Sequence, residues 1–446
     1  MAGCHGFDLL LEPGVIGRGF KDLSRGNRWS VHVECASKPA MRVMREVEKA
    51  GRNVTSVLRR KSRGLSRTAQ LEVLDEFVQR ERPELVLPMY KMVRDAVWYK
   101  WDARLHARIV ALLAKDGQSN AAMLQDLPEV QEFLSLAQRA DLGCALIESY
   151  AHCGLRSHAL AAFQDLQSLP LARAVPFGYK SLIRAYCVLD LPSEAEQFLR
   201  AMQVAGYQPS GDEYKSLIHG FGRNGMLREM EMLACEMCNQ GVALDTAGFN
   251  MIISSYGQAG QHDKMVEVVD RMIAAGVEPN LVSWNALTKA CPSLITALSD
   301  GCGLLASPEL LLLRLKEQRA SSPGEICVVK VLLLHGVPPK AVTWSSASWQ
   351  LDLHSMSLGT ASVVFPMWLS CLRDQFKSGK QAPGEVRVVT GWGKHSEADV
   401  RAPIRRMMVA GLGAMESPFK ADPNNRGTLV AHGSALKQWL LTLPSN

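Results

Sequence analysis

The sequence lacks an apolar run long enough to cross a membrane. Its most apolar stretch, around residues 294–313, is interrupted by Asp300, Pro308 and Glu309, whereas a membrane-spanning helix needs about 20 consecutive apolar residues. Disordered, collagen-like and coiled-coil chains are also excluded, because 47% of the residues are hydrophobic and 21% are charged, as in globular proteins. The 446 residues exceed what one hydrophobic core supports, so we expect two or three structural units.

Regularly paired cysteines are missing as well. Eleven cysteines are scattered along the chain, which fits reduced, buried thiols in a reducing compartment better than a disulfide framework. Cys235 and Cys238 form a single CxxC motif inside a predicted helix, without the second pair that a zinc site needs. The sequence therefore disfavours both a secreted disulfide scaffold and a zinc-binding domain.

Basic residues are concentrated near the N terminus. Residues 1–70 contain fourteen Lys and Arg against six Asp and Glu, a balance of +8, so residues 71–446 carry −2 of the total of +6. Residues 1–37 are rich in Arg, Gly and Ser and lack a secretory signal core, so we interpret them as a plastid transit peptide, with a mitochondrial one as the alternative. Residues 38–69 are interpreted as a basic linker that either binds phosphates or is merely solvated.

A period of 35 residues dominates the middle of the chain. Aromatic residues recur at this spacing at Tyr179, Tyr214, Phe249 and Trp284. Each of the first three begins an apolar stripe at helical spacing, which is followed by a break, a second stripe and a Gly suited to a helix C-cap. After Trp284 the pattern keeps only one helix. The pattern predicts helical hairpins that stack into an all-α right-handed solenoid, with the first helix of each hairpin lining its concave surface.

The repeats and the residues on either side of them set the expected organisation. We predict degenerate helical repeats at 70–142, about four repeats at 143–290 with the last one incomplete, and a helical cap and connector at 291–348. From Trp349 onward short strands and helices alternate, which predicts a small α/β domain over 349–446. The expected fold is a helical-hairpin solenoid followed by this domain.

The repeat consensus resembles the pentatricopeptide repeat, most closely in residues 246–280. The shared features are an aromatic and Asn, Leu-Ile, a Gly break, Met and a closing Gly-x-x-Pro-Asn. The resemblance implies that the array binds single-stranded RNA at about one base per repeat. In that family the base is read by the residue after the first-helix aromatic and the residue after the closing Pro. A protein-binding helical scaffold is the alternative for such an array.

The base-reading residues implied by the resemblance are assigned position by position. They are Lys180 with Ser210, Lys215 with Asp245, Asn250 with Asn280, and Asn285 in the incomplete last repeat. The combination of Asn250 with Asn280 is usual in the family and implies a pyrimidine, since an amide can hydrogen-bond the edge of a base. Lys180 and Lys215 depart from the usual pattern and suit a phosphate or a carbonyl oxygen.

Two short motifs lie at the ends of predicted strands in the C-terminal domain. They are Leu351-Asp352-Leu353-His354 and Thr390-Gly391-Trp392-Gly393-Lys394-His395-Ser396. Together and in this order, they closely resemble the small MutS-related domain. That domain following pentatricopeptide repeats is typical of a family of plant organellar proteins, and the resemblance implies endonucleolytic processing of RNA.

The second motif has the residue types of a phosphate-binding loop. A Gly-x-Gly turn between a strand and a helix lets backbone N–H groups approach an anion, and the helix N-terminus adds a favourable dipole. The expected phosphate-binding residues are Thr390, Gly391, Trp392, Gly393, Lys394 and Ser396. The alternative is that the two glycines only make a tight turn into the helix.

The first motif supplies the groups for acid and base chemistry. Asp352 and His354 project to the same side of a strand end. Asp352 can activate a hydroxyl or hold a metal ion, and Mg²⁺ is the one cofactor that we expect. His354 can transfer a proton. The expected catalytic residues are Asp352, His354, Lys394 and His395, with His432 as a further candidate acid.

These features together predict an organellar protein, in the chloroplast or alternatively the mitochondrion, that binds single-stranded RNA and cuts it with its C-terminal domain. The first alternative is a non-catalytic RNA-binding factor for transcript stabilisation or translation. The second is a protein-interaction scaffold. Because so few repeats limit affinity, we also expect protein partners in an RNA-processing complex.

Overall fold

The computed structural model describes residues 37–49, 54–117, 134–298, 308–318, 322–391 and 402–443. These residues form twenty α-helices and five β-strands, in two compact units, Met1–Val73 and Leu74–Asn446. None of the helices in these ranges is long and apolar enough to cross a membrane. The expected transit peptide lies outside the described residues except for residue 37.

Helices account for most of the described residues before the C-terminal sheet. The first five are α1 (Lys38–Glu48), α2 (Val54–Ser62), α3 (Arg67–Gln79), α4 (Pro83–Arg94) and α5 (Ala103–Lys115). The repeat helices are α6 (Leu136–His152), α7 (Arg156–Gln167), α8 (Ala174–Val188), α9 (Pro192–Val204), α10 (Gly211–Arg223), α11 (Leu227–Asn239), α12 (Thr246–Gln258), α13 (His262–Ala274) and α14 (Leu281–Lys289). Three more complete the helical part: α15 (Pro292–Leu298), α16 (Pro308–Glu317) and α17 (Pro323–His335).

The basic segment at 38–69 is largely helical, where the sequence was interpreted as a linker. Helix α1 buries Ala40, Met44 and Val47, which share one face because they recur at helical spacing. The basic residues of this segment alternate with apolar ones. The interpretation as a linker rested on the charge count and overlooked the apolar face.

The 35-residue period corresponds to helical hairpins, as predicted. The first helices α8, α10, α12 and α14 contact one another in sequence order. Each hairpin turns at a residue with positive φ, such as Gly225 at +71° and, in the preceding hairpin, Asp190 at +58°. At the Gly225 turn, the Met226 N–H donates to the Phe221 carbonyl over 3.0 Å, which closes the helix end as a Schellman motif does.

Ion pairs join the second helices of neighbouring hairpins. Arg200 in α9 contacts both carboxylate oxygens of Glu236 in α11, at 2.5 and 2.7 Å. The Tyr214 hydroxyl in α10 donates to Glu236 Oε1 over 3.0 Å, and Arg271 in α13 contacts Glu231 in α11 at 3.1 Å. The two arginine contacts each span two hairpins, so the stacking relies on polar contacts as well as on apolar burial.

The described residues of the C-terminal α/β domain form one mixed sheet and three helices. Its elements are β1 (Val342–Trp344), β2 (Ser348–Asp352), α18 (Leu358–Lys377), β3 (Glu385–Val389), α19 (Pro403–Ala414), β4 (Lys420–Ala421), β5 (Thr428–His432) and α20 (Gly433–Thr442). The strand order is β1-β2-β3-β5-β4, with β2 and β3 parallel and the other pairs antiparallel. The sheet begins inside the segment that we expected to be a connector, because β1 pairs with β2.

Helix α18 belongs to the packing of both parts. Val363 and Met367 join the hydrophobic core that runs through the repeat helices. Phe365 and Trp368 join the separate core of the α/β domain, and both are fully buried. The α/β domain is therefore packed directly on the end of the array.

The cysteines depart in part from the expectation of buried thiols. All eight described cysteines are free. Cys187 and Cys291 are buried, whereas Cys235, Cys238, Cys327 and Cys371 are exposed.

Candidate nucleic-acid interface

The residues after each closing Pro position are N-caps of the next first helix. Ser210 caps α10 and accepts from the Asp212 N–H. Asp245 caps α12 and accepts from the Gly248 N–H over 2.8 Å. Asn280 caps α14 and accepts from the N–H groups of Val282 and Ser283 over 2.9 and 3.1 Å. An N-cap side chain is held in one orientation, because its oxygen accepts hydrogen bonds from N–H groups of the first turn that have no acceptor within the helix.

Two of the three predicted pairs are in direct contact. Lys215 Nζ lies 2.9 Å from Asp245 Oδ2, and Asn250 Nδ2 donates to Asn280 Oδ1 over 3.2 Å. Lys180 does not contact Ser210; its Nζ lies 2.6 Å from Asp212 Oδ2 instead. We call Lys180, Lys215, Asn250 and Asn285 the first-helix column, since they occupy equivalent positions one repeat apart.

The Asn250–Asn280 pair retains hydrogen-bonding capacity. Asn250 is 7% exposed, and its Oδ1 accepts from the Ser283 hydroxyl over 2.6 Å, while Asn280 is exposed. The Asn250 amide therefore uses one N–H and one oxygen lone pair, and keeps one of each.

Acidic residues neutralise the cations of the column. Asp212 lies between Lys180 and Lys215, whose Nζ is 3.7 Å from Asp212 Oδ1. The Lys180 contact lowers the pKa of Asp212, and the hydrogen bond from the Gly248 N–H is the main reason that the pKa of Asp245 is lowered. The bond to Asp245 in turn raises the pKa of Lys215. The two lysines and the two aspartates form consecutive ion pairs, so their formal charges cancel.

Asn285 contacts the C-terminal domain. Its Nδ2 donates to the Ser355 carbonyl over 3.0 Å, and its Oδ1 accepts from the Ser357 N–H over 2.7 Å and from the Thr360 hydroxyl over 2.9 Å. Both lone pairs of Oδ1 are thus occupied by the C-terminal domain. The sequence does not reveal these contacts, because α18 lies far from Asn285 in the chain, and the reading of a base by Asn285 stays a prediction.

Asp352 and His354 form a hydrogen-bonded dyad at the end of β2. Asp352 Oδ1 accepts from the His354 N–H over 3.0 Å and lies 2.6 Å from His354 Nδ1. A carboxylate can only accept, so the Nδ1 atom carries a proton, and in the neutral ring Nε2 then has a lone pair. His354 is exposed, with 58% of its side chain accessible, so Nε2 can meet a ligand from solvent.

The parallel pairing of β2 and β3 brings the two C-terminal motifs together. The register places Asp352 beside Val389, and Thr390 is anchored by two hydrogen bonds to the Gly427 carbonyl, at 2.8 and 3.0 Å. Gly391 has φ +79°, and a Cβ there would lie 3.1 Å from His354 Cβ. The other predicted residues of this motif, Trp392, Gly393, Lys394, His395 and Ser396, lie outside the described residues.

His432 is not part of this site. It ends β5, which runs antiparallel to β3, and it pairs with Glu385 at the start of β3. Four residues of strand, about 13 Å, therefore separate it from the end where Asp352 lies. The sequence could not reveal this, because the direction of β5 depends on long-range pairing.

A magnesium site is not formed by the described residues. Among them no group of three or more His, Cys, Asp or Glu side chains is placed to hold a metal ion. Asp352 offers one carboxylate, and its Oδ1 is already engaged by His354.

Sequence reasoning missed the residues that complete these contacts. Asp212, Ser283, Ser357 and Thr360 each bond to a residue of the first-helix column. One signal was available: Ser283 and Thr360 each stand three residues after a Ser or Asn that can cap a helix. Their partners in the column lie about 30 or more residues away, so no local pattern identifies them.

Comparison with known proteins agrees with the repeat assignment. Residues 177–207 and 214–242 match the PPR repeat, and residues 232–293 match the pentatricopeptide repeat domain. These matches run from α8 to the first residues of α15, so this part of the chain is similar to pentatricopeptide repeats.

Several relatives are plant pentatricopeptide repeat-containing proteins. The Arabidopsis thaliana protein At2g17033 is 27% identical over 84% of this chain and 75% of its own length. At3g53170, also from Arabidopsis, is 28% identical over 47% of each chain. More distant relatives, each 23% identical, include a rice protein named chloroplastic, matched over 60% of this chain and 40% of its own, and an Arabidopsis protein named mitochondrial, over 32% and 43%.

A solved structure is also similar. The crystal structure of the maize pentatricopeptide repeat protein PPR10 is 17% identical, with a TM-score of 0.42, over 84% of this chain and 51% of that chain. PPR10 has also been solved in complex with an 18-nt psaJ RNA element. This chain thus spans about half the length of PPR10 and of At3g53170.

Proposed function

We propose that this protein binds single-stranded RNA in an organelle through its repeat array. The observation that carries the proposal is the 3.2 Å contact between Asn250 and Asn280. At this repeat boundary the exposed Asn280 amide lies beside the Asn250 amide, which keeps one N–H and one oxygen lone pair. Amides in this arrangement can pair with the edge of one unstacked base. PPR10, to which this chain is similar, has been solved in complex with an RNA element, which agrees with RNA as the ligand.

We further propose the chloroplast as the organelle, with the mitochondrion as the alternative. The basic, Gly- and Ser-rich residues 1–37 suit an organellar address. Relatives with names of either kind support an organellar location.

A second proposal concerns cleavage by the C-terminal domain, which is the RNA-processing activity that the two motifs imply. The observation that favours it is the 2.6 Å contact between Asp352 Oδ1 and His354 Nδ1. The carboxylate holds the imidazole in the tautomer with a free Nε2, as an orienting acid does in other catalytic dyads. His354 is then the general base, and Asp352 is a positioning residue.

The cleavage chemistry that suits this dyad uses the RNA's own 2′-hydroxyl. His354 Nε2 takes the 2′-OH proton, and the 2′ oxygen attacks the adjacent phosphorus. The bond from phosphorus to the 5′ oxygen breaks, which leaves a 2′,3′-cyclic phosphate and a 5′-hydroxyl that receives a proton from water. The backbone at Gly391 lies beside His354, where N–H groups can meet the phosphate oxygens.

The experiment is cleavage of a 5′-labelled single-stranded RNA by the full chain. We expect cleavage by the native protein, and a loss of about a hundredfold or more in His354→Ala. A substrate with one 2′-deoxynucleotide at the cut position should resist cleavage at that position alone. Equal cleavage of the deoxy substrate would contradict the 2′-hydroxyl mechanism.

Two controls separate the alternatives. His432→Ala is the matched control, because that histidine lies at the opposite end of the sheet, and it should cleave as the native protein does. RNA binding without cleavage by either protein would instead indicate a non-catalytic RNA-binding factor. Absence of RNA binding would favour a protein-interaction scaffold.

A further inference from the structure

The contacts around Asn285 repeat those around Asn250, one repeat earlier. The Ser283 hydroxyl, three residues after the N-cap of α14, donates to Asn250 Oδ1 over 2.6 Å. The Thr360 hydroxyl, three residues after the N-cap of α18, donates to Asn285 Oδ1 over 2.9 Å. Helix α18 of the α/β domain therefore packs on α14 as the first helix of a further repeat would.

The N-caps also continue in register. The caps of the successive helices α10, α12, α14 and α18 are Ser210, Asp245, Asn280 and Ser357. Ser357 accepts from the Thr360 N–H over 3.1 Å, and its own N–H donates to Asn285 Oδ1 over 2.7 Å. The sequence hides this continuity, because 75 residues separate Asn285 from Thr360 in place of the 33 between Asn250 and Ser283.

A buried polar network fixes this packing. The Thr288 hydroxyl lies 2.9 Å from the Ser357 hydroxyl and 2.8 Å from the Thr360 hydroxyl, and both threonines are fully buried. A Cβ on Gly359 would lie only 3.0 Å from Thr288 Cβ. Because a buried hydroxyl is costly to leave unpaired, such a network admits few alternative arrangements of the two helices.

Asn285 also contacts the residue that follows the dyad. Asn285 Nδ2 donates to the carbonyl of Ser355 over 3.0 Å, and Ser355 directly follows His354 in the chain. Asn285 thus holds both the start of α18 and the loop that leads out of the dyad.

We propose that Asn285 is a positioning residue that fixes α18 in the place of the next first helix of the array. We call this arrangement of Asn285, Ser357 and Thr360 the seat. The seat holds the Asp352–His354 dyad one repeat step beyond the Asn250–Asn280 pair. At about one base per repeat, the dyad then acts on a phosphate about one or two nucleotides from the base held by that pair. The position of the cut rests on the proposed RNA binding and cleavage, whereas the seat itself does not.

The seat is tested without RNA by hydrogen exchange of the full chain. In Asn285→Ala the Ser357 N–H loses its acceptor, so the segment 354–360 should exchange about tenfold faster or more. Asn250→Ala is the matched control, since it removes the same residue type one repeat earlier and should leave this segment unchanged. An unchanged rate in Asn285→Ala overturns the seat.

The position of the cut is tested with labelled RNA that carries one pyrimidine in an otherwise uniform strand. The native chain should cut at one phosphate, at a constant offset from the pyrimidine as it is moved along the strand. Asn285→Ala and Thr360→Val should spread the cuts over several phosphates at similar RNA affinity, while Thr360→Ser keeps the hydroxyl and the single cut.

Different results contradict the seat of α18 and the position of the cut. A single cut at the native offset in both Asn285→Ala and Thr360→Val overturns the positioning role. A native chain that neither binds nor cuts RNA overturns the proposed function and the position of the cut with it, and the exchange rate of segment 354–360 then decides the seat alone.

Discussion

Lys180 Nζ lies 2.6 Å from Asp212 Oδ2, although the repeat pattern assigns Ser210 as its partner. The N-cap of α10 and the acidic residue two positions later thus divide two roles between them: Ser210 caps the helix, and Asp212 holds the cation. The consequence is that the charge of Lys180 is neutralised in this part of the first-helix column.

Replacing Asp212 should therefore strengthen RNA binding. Asp212→Asn frees Lys180 and weakens the hold on Lys215, so we expect about two- to fivefold tighter binding of single-stranded RNA, in line with the energy of an exposed ion pair. The gain should shrink at high salt, because freed cations bind phosphates by releasing counterions. Fluorescence anisotropy at several salt concentrations measures both effects.

The matched control is Glu267→Gln. It makes the same change of net charge at an exposed acid that pairs with Lys264 at 2.6 Å on a second helix. An equal gain in both variants would show that total charge, and not the release of Lys180, is responsible.

The Arg200–Glu236 contact should stabilise the array in a pH-dependent way. Arg200 lowers the pKa of Glu236, so the stabilisation is present above the unfolded value of about 4.3 and is lost as the pH falls through the lower folded value. Because the Arg200 side chain is 43% exposed, we expect Glu236→Gln to cost about 1 kcal/mol at pH 7. Melting temperatures should differ by about 2 °C at pH 7 and converge as the pH falls through the lowered folded pKa of Glu236. Glu76→Gln, in the i,i+4 pair that Arg80 makes at the end of α3, should change little over the same pH range.

Gly391→Ala should disturb the dyad more than the fold. The residue has φ +79°, and the added Cβ would lie 3.1 Å from His354 Cβ, so His354 must move by a few tenths of an ångström, which disturbs its contact with Asp352. We expect about a tenfold loss of RNA cleavage or more. Gly379→Ala is the control, because Gly379 has φ +86° with open space around its Cβ position; it carries the same backbone cost, about 1–2 kcal/mol, and should leave cleavage intact.

Thiol reactivity should follow the folded packing. Burial raises the pKa of Cys187 and of Cys291 to about 12, so neither should react with iodoacetamide at about pH 8 in the native protein. Cys235 and Cys238 are exposed and should react within minutes. Mass spectrometry of labelled peptides distinguishes them, and full labelling of Cys291 without denaturant would contradict the packing of α14 against α15.

Much of the repeat array could be read from the sequence. The spacing of Tyr214 and Phe249 predicted the hairpins, because the contacts that build each hairpin lie within one 35-residue unit. The contacts of Lys215 with Asp245 and of Asn250 with Asn280 span 30 residues and follow from the same period. In the C-terminal domain, the alternation of strand and helix predicted an α/β unit.

Other features depended on residues that are far apart in the chain. The capture of Asn285 by Ser357 and Thr360, and the position of His432 across the sheet from Asp352, have no local signature. The spacing of apolar residues within 38–69 could have predicted the helices there. The excess of basic residues led instead to the interpretation as a linker.

The sequence by itself determined the period, the helical hairpins and the chemistry of the residues at equivalent repeat positions, because these arise from contacts between near neighbours. Only the tertiary structure decided where the array ends, that α18 takes the place of a further first helix, and that the dyad lies beside Gly391. The physical reason is that burial of apolar faces and pairing of strands bring together segments whose separation in the chain no local pattern records.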